Sequence, residues 1–279
     1  MTLFASSIKL LHAADNLWLG ESDPLWAHPG GRFGGWTAAV LLKAAMSEPY
    51  ETPPTAVPQG RPGTRGDPLS LTVIFTDAVN DGPIEISTRL LRAGSRLEFW
   101  RAELIQAGKV RAPAQITFGM RRATISFADA VMPEAPPPND PSLVKSGPPT
   151  KFGEQIDARW LTASPLAAMG GVEGPARSVF WVRQAGGLAM DHVLLALLAD
   201  YAPPRAMYRR ASAFMSSTVS MNVYFHATPE ELEAVGDDFV LSEVVCRRCD
   251  GGYFDHALTL WSRSGALLAT SEQVAAFRD

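Results

Sequence analysis

Apolar and polar residues alternate in two groups of segments, one in each half of the chain, and this pattern predicts antiparallel β-strands. The segments are rich in β-branched and aromatic residues, as in Leu69–Phe75 and its counterpart Val219–Phe225. Short Gly- and Ser-containing pairs between neighbouring segments predict hairpin turns. The predicted strands are 69–75, 84–91, 96–106 and 110–118 in the first half, and 219–225, 239–246, 254–261 and 267–277 in the second.

One apolar helix precedes the strands in each half. The first follows Gly34-Gly35 and is predicted over 36–46, and the second, predicted over 190–201, stops before Pro203-Pro204. Both segments are apolar nearly all round, which is typical of a helix buried against a sheet. The two halves therefore repeat the same order of helix and strands.

A proline-rich segment separates the halves: seven of the 22 prolines lie between Pro133 and Pro149. Proline at this density blocks both a helix and a central strand, so we expect a linker over 131–150 between domains at 1–130 and 151–279. Each domain is predicted to be α+β, with one antiparallel sheet wrapped around a buried helix. This is the arrangement of a hot-dog domain, so we expect a double hot-dog with its two sheets joined edge to edge by pseudo-twofold symmetry.

Composition and charge exclude several classes of protein and of binding partner. Apolar residues make up 46% of the chain and charged residues 19%, which excludes disordered, collagen-like and coiled-coil classes. The net charge is −4 and no polybasic run is present, so neither nucleic acid nor a membrane surface is an expected partner. No apolar stretch approaches the ~20 residues of a membrane-spanning helix, and the N-terminus does not resemble a signal peptide. We expect a soluble cytoplasmic protein.

The two cysteines, Cys246 and Cys249, form a C-x-x-C between strand-like flanks. A zinc site needs four ligands, and the sequence has no second pair at ligand spacing. Side chains three residues apart on a strand leave on opposite faces, which disfavours a redox pair. We therefore expect two structural cysteines and no metal.

Four motifs occur in a fixed order along the chain: Phe33-Gly-Gly-Trp, Asp67-Pro-Leu-Ser-Leu-Thr-Val-Ile-Phe, Leu198-Ala-Asp-Tyr-Ala-Pro-Pro and Ser264-Gly-Ala-Leu-Leu-Ala-Thr-Ser-Glu-Gln. With these motifs the chain resembles the double hot-dog acyl-CoA thioesterases of the type II superfamily. The resemblance implies hydrolysis of an acyl-CoA thioester to a free acid and coenzyme A, in lipid metabolism. It implies no cofactor beyond the coenzyme A that the substrate carries.

In that family an Asp, a Thr or Ser, and a Gln of the second domain hold the hydrolytic water. The resemblance places the Gln at Gln273 and the Asp position at Ser220. The hydroxyl position falls near Arg247, with Ser242 as another possibility. Because the carboxylate is then missing, an alternative function is a non-catalytic acyl-CoA- or lipid-binding protein.

Other residues are candidates to complete the site. Asp191, in the first turn of the second helix, is the expected substitute acid or else a helix cap, and it should lie with Gly35 near the boundary between the halves. Asp200 is disfavoured because the dipole at the end of that helix opposes an anion. Gly34 and Gly35 present backbone N–H groups for an oxyanion, and together with Arg247 they are the expected substrate-binding residues.

A weaker alternative is a hot-dog enoyl-CoA hydratase, whose spacing of acid and histidine resembles that of Asp23 and His28. The Asn-Pro that joins the two residues in that motif is absent. Exposed sheet edges could also pair two copies of the chain into a homodimer.

Overall fold

The computed structural model describes residues 3–49, 66–148, 150–171, 173–210 and 215–277. Residues 50–65 of the predicted first domain and residue 149 of the predicted linker lie outside the described residues. The helices are α1 (Leu3–Ser7), α2 (Gly34–Ser47), α3 (Lys151–Glu154), α4 (Pro165–Met169), α5 (His192–Leu198), α6 (Met207–Arg210) and α7 (Pro229–Val235). No helix within these residues is long and apolar enough to cross a membrane.

The strands of the first half are β1 (Leu10–Ala14), β2 (Leu17–Ser22), β3 (Ala27–His28), β4 (Gly31–Arg32), β5 (Asp67–Ile74), β6 (Gly82–Ala93), β7 (Leu97–Gln106) and β8 (Lys109–Gly119). Those of the second half are β9 (Val144–Lys145), β10 (Ile156–Thr162), β11 (Arg177–Gln184), β12 (Ser216–Phe225), β13 (Val240–Val245), β14 (Cys249–Asp250), β15 (Tyr253–Trp261) and β16 (Leu267–Phe277). The main sheet has the order β1-β2-β6-β7-β8-β5-β12-β16-β15-β13-β11-β10-β9, and β14 pairs with β15.

The two halves meet at the pair β5 and β12, so the sheet runs without a break from one half to the other. Leu71 and Val73 of β5 pair with Val223 and Met221 of β12, and all four side chains are buried. On a strand with one covered face, alternate residues point into the core. The alternation read from the sequence therefore corresponds to one inner face shared by both halves.

Helices α2 and α5 lie on this inner face and pack against each other in opposite directions. The N-terminus of α2 meets the C-terminus of α5, since a Cβ added at Gly35 would lie 2.3 Å from the carbonyl oxygen of Leu197. Helix α5 is shorter than the helix predicted over 190–201. It begins after Asp191, whose side chain caps it, and it ends at Leu198, before Asp200.

The sequence pattern missed β10 and β11, because these strands do not alternate. The five residues from Ser178 to Val182 are all buried. The inner face packs on the core, and the outer face is covered by Met132, Ala135 and Leu143. The proline-rich segment is therefore held on the outside of this sheet, where the carbonyl oxygen of Pro136 accepts a hydrogen bond of 2.8 Å from Trp181 Nε1.

Candidate active site

A cavity of about 880 Å³ lies where the two halves meet. The first half contributes Gly34 at the start of α2 and Phe75 after β5. The second half contributes Asp200, Thr218 and Gln273. A carboxylate, a hydroxyl and an amide thus converge on one space next to a helix N-terminus.

Asp200 is a buried acidic residue that lines this cavity. It follows the last turn of α5 and is 7% exposed. Burial raises the pKa of Asp200 to about 7, while hydrogen bonding by the Gly35 backbone N–H and the Gln273 side chain acts in the opposite direction. A carboxyl with this pKa is well placed to accept and return a proton near neutral pH.

The dipole of α5 disfavours an anion at Asp200, but a second helix also acts on this carboxylate. Because α2 and α5 run in opposite directions, the carboxylate at the end of α5 faces the first turn of α2. A Cβ added at Gly34 would lie 2.7 Å from Asp200 Oδ2. The positive end of a neighbouring helix, with its free backbone N–H groups, favours an anion at this place.

Gln273 is held in one orientation by hydrogen bonds at both ends of its side-chain amide. Its Nε2 donates to the carbonyl oxygen of Ala199 at 3.2 Å, and its Oε1 accepts from Thr218 Oγ1 at 3.4 Å. Gln273 is 3% exposed, so these contacts satisfy a polar group that is costly to leave unpaired. The three side chains Asp200, Thr218 and Gln273 form one connected group, which we call the polar triad.

Ser220, expected at the carboxylate position, does not join this group. Gln273 pairs across the sheet with Met221, whereas Ser220 pairs with Val274, which is 43% exposed. Ser220 therefore faces away from the cavity. A register shift between Thr218 and Ser220 brings Thr218, which pairs with the buried Ala275, to the inner face. The carboxylate that lines the cavity is instead that of Asp200, in the motif Leu198-Ala-Asp.

Asp191 lies at the opposite end of α5 from Asp200 and does not line the cavity. Its Oδ1 accepts the backbone N–H of Leu194 at 2.7 Å, so the structure gives it the capping role. Asp191 is also close enough to Lys43, in the last part of α2, for their charges to interact. Because the two helices are antiparallel, Asp191 and Gly35 lie at opposite ends of the α2–α5 pair.

Arg247 and Ser242 also lie outside the cavity. The Arg247 guanidinium is exposed and makes two hydrogen bonds to Glu272, of 2.8 and 2.7 Å. Ser242 is buried in the middle of β13, between β11 and β15. Neither residue is positioned to hold a water beside Gln273.

Gly34 and Gly35, expected from the sequence to bind substrate, are the first two residues of α2. Gly34 lines the cavity, and the Gly35 N–H faces the Asp200 carboxylate. A Cβ at Gly35 would overlap the α5 backbone at Leu197, and a Cβ at Gly34 would crowd the side chains of Asp200 and Phe75. The absence of side chains thus brings the N-terminus of α2 to the polar triad.

Asp23 and His28, whose spacing resembles that of the hydratases, do not form an acid and base pair. Asp23 Oδ1 accepts the backbone N–H of Leu25 at 2.9 Å and caps a short 3-10 turn. His28 lines the cavity and packs against Phe152, and burial lowers its pKa. Among the residues that the structure describes, no group of three or more His, Cys, Asp or Glu side chains is arranged to hold a metal ion.

Models of two domains match the chain: the acyl-CoA thioesterase N-terminal domain over residues 23–119 and the acyl-CoA thioesterase C-terminal domain over residues 128–277. The chain belongs to the acyl-CoA thioesterase family. The resemblance inferred from the motifs is thereby confirmed, and with it the assignment as an acyl-CoA thioesterase. No curated protein matches the chain.

Solved structures show the same fold. A conserved protein with a hot-dog fold from Alicyclobacillus acidocaldarius is 29% identical, with a TM-score of 0.89 over 100% of this chain and 99% of that chain. The tesB protein of Mycobacterium avium subs paratuberculosis is 20% identical (TM-score 0.77, 99% and 98% covered). An acyl-CoA thioesterase II of Mycobacterium marinum is also 20% identical (TM-score 0.72, 99% and 98% covered). The fold is thus of the hot-dog type, mainly antiparallel sheet with few helices.

Proposed function

We propose that this thioesterase hydrolyses an acyl-CoA to a free acid and coenzyme A, and that Asp200, Thr218 and Gln273 hold and activate the water. The observation that carries the proposal is the convergence of a buried carboxyl, whose pKa is about 7, with an oriented amide and a hydroxyl. A thioester carbonyl needs a base to take the proton of the attacking water. Gln273 alone cannot act as that base, whereas Asp200 can.

In the proposed reaction the water oxygen attacks the thioester carbonyl carbon while Asp200 takes a proton from the water. Thr218 and Gln273 orient the water. The positive end of α2 at Gly34 stabilises the oxyanion, since the Gly35 N–H already donates to Asp200. The C–S bond then breaks, and the proton held by Asp200 passes to the leaving sulfur. The products are the carboxylic acid and the coenzyme A thiol, with no other reactant consumed.

The acyl chain is proposed to lie in the less polar part of the same cavity. Met169 of α4, Met207 of α6, Phe254 of β15 and Ala275 of β16 line this part. Apolar walls with a few placed polar groups are typical of pockets for small ligands. The pantetheine arm would leave past the start of α2.

We further propose that the chain consists of two hot-dog domains, 1–130 and 151–279, joined by 131–150 and related by pseudo-twofold symmetry. The continuous β5–β12 pairing and the packing of α2 on α5 support this division. The free sides of β1 and β9 are the edges at which a homodimer could form. A cytoplasmic site of action is part of the same proposal.

The test compares hydrolysis by the unmodified chain with that of two Asp→Asn variants at opposite ends of α5. Thiol release from short-, medium- and long-chain acyl-CoAs is followed for each. Asp200→Asn removes the base and should lower kcat at least about 100-fold. Asp191→Asn makes the same chemical change at the helix cap, where Asn is as good as Asp, so its kcat should stay within about twofold.

If the unmodified chain releases no thiol above background from any acyl-CoA, the proposed function is wrong. If Asp200→Asn retains full activity, the chemistry does not use the polar triad. The alternative function, a binding protein without catalysis, was considered because the family's Asp position falls on Ser220 in this sequence. Because Asp200 supplies that carboxylate, the hydrolase is the better supported function.

A further inference from the structure

His256 is a buried imidazole in the same cavity that the proposed hydrolysis does not use. It lies on β15, is 5% exposed and lines the cavity. In the sheet it pairs directly with Gln273 of β16. Side chains of a directly opposed antiparallel pair leave from the same face, with Cβ atoms roughly 5 Å apart. His256 therefore stands beside the polar triad, one strand further from β12.

Neither ring nitrogen of His256 has a hydrogen-bond partner among the described residues. Its ring contact is with Phe254, at 5.1 Å between centroids, which offers no donor or acceptor. Buried polar groups in proteins are nearly always hydrogen-bonded. A side chain that is left unpaired by the protein and that lines the substrate cavity is positioned to bond with the substrate.

Arg205 lies close enough to this imidazole for its charge to act on it. The guanidinium is fully buried, donating to Pro203 O at 2.9 Å and Ser178 Oγ at 2.8 Å and lying over the ring of Tyr208. Burial and the nearby charge of Arg205 lower the pKa of His256 well below its usual value, so the ring is neutral. A neutral imidazole offers one N–H donor and one acceptor nitrogen, which suits a hydroxyl, or a keto oxygen through its donor alone.

We propose that His256 recognises an oxygen substituent on the acyl chain, so that the preferred substrates are hydroxyacyl- or oxoacyl-CoAs rather than unsubstituted acyl-CoAs. The inference deepens the proposed function and depends on it. With the thioester carbonyl beside Gln273, the neighbouring strand brings the imidazole to the first few carbons of the acyl chain. The positive charge of Arg205 favours an electron-rich oxygen at this place and disfavours a cationic group.

The test measures kcat/KM of the full chain on pairs of substrates that differ only in the substituent. Hexanoyl-CoA is compared with 3-hydroxyhexanoyl-CoA and 3-oxohexanoyl-CoA, and the dodecanoyl series likewise. The ratio of substituted to unsubstituted kcat/KM should exceed one in the unmodified chain. It should fall about tenfold in His256→Leu, which removes the hydrogen bond, and less in His256→Gln, which keeps a donor and an acceptor.

Ser271→Ala is the matched control. Ser271 lies two residues from Gln273 on the same face of β16, is 1% exposed and has an Oγ without a partner among the described residues, but it does not line the cavity. A general effect of removing a buried polar group would appear in both variants. Recognition of the substituent would change the ratio of substituted to unsubstituted kcat/KM only in His256→Leu.

An unmodified chain that hydrolyses plain acyl-CoAs at least as well as the substituted ones overturns this inference and leaves the proposed function intact. An equal loss on both substrates in His256→Leu also overturns it. If no substrate is hydrolysed at all, the proposed function fails, and dissociation constants of the same pairs, measured by calorimetry, decide the inference. Tighter binding of the substituted member, lost in His256→Leu, supports it, and equal binding overturns it.

Discussion

Replacing Asp200 by Asn should stabilise the folded protein at neutral pH while it removes activity. Raising the pKa of this carboxyl from 3.8 to about 7 makes its ionisation roughly 4 kcal/mol more costly in the folded chain than in the unfolded chain. Asn has nearly the same shape and never ionises. The variant therefore avoids a cost that the native residue carries at the pH where it would act.

The sign of the effect follows from proton binding. Below about pH 4 the carboxyl is protonated in both states and contributes nothing. Between about pH 4 and 7 the unfolded chain has lost the proton and the folded chain keeps it, so the stability of the native protein falls as the pH rises. Above about pH 7 the full cost is present. The stability advantage of Asp200→Asn should thus grow by about 3 kcal/mol from pH 4.5 to pH 8.

Urea denaturation of both proteins across this pH range measures the difference directly. Other titrating groups are common to both proteins and cancel in the comparison. Asp191→Asn, which alters a helix cap, should show no comparable rise. A stability difference between Asp200→Asn and the native chain that stays constant, or that shrinks as the pH rises, would refute the argument that Asp200 is ionised at the expense of folding.

Two further predictions concern the backbone and the hydroxyl of the site. Gly35→Ala places a Cβ 2.3 Å from Leu197 O, a backbone atom that cannot rotate away, so the free energy of unfolding in urea should fall by about 1–3 kcal/mol. Gly174→Ala, where the added Cβ meets nothing within 4 Å, is its control, and an equal effect of the two would contradict the close packing. Thr218→Val should lower kcat about 5- to 10-fold by removing one hydrogen bond to Gln273 or the water, whereas Ser220→Ala should change it less than about twofold. A larger loss at Ser220 than at Thr218 would contradict the observed register.

The hydrophobic pattern predicted the strands that have one face on the core and one in solvent. Strands β7 and β16 match their predicted bounds to within a residue, because each alternates between buried and more exposed positions. Strand β11 was missed because the proline-rich segment covers its outer face, and a strand buried on both sides does not alternate. No local pattern tells which distant segment will cover a strand.

The site was predicted only in part, for a similar reason. Gln273 and the two glycines could be read from motifs, since each is recognisable within a few residues. The role proposed for Asp200 depends on the antiparallel packing of α5 on α2, because the N-terminus of α2 offsets the unfavourable dipole of its own helix. The choice between Thr218 and Ser220 depends on a single irregularity in the register of β12, which shifts the side chain that faces inward.

The most direct test of the account is the pH dependence of kcat/KM for acyl-CoA hydrolysis, because it reports the ionisation of the free enzyme's essential base. If Asp200 accepts the proton of the water, kcat/KM should rise about tenfold per pH unit below its pKa of about 7 and level off above it. The rise should be absent from the residual activity of Asp200→Asn. A native profile that is flat from pH 5.5 to 8.5, or one that Asp200→Asn leaves unchanged, would contradict the claim that this buried carboxyl drives the reaction.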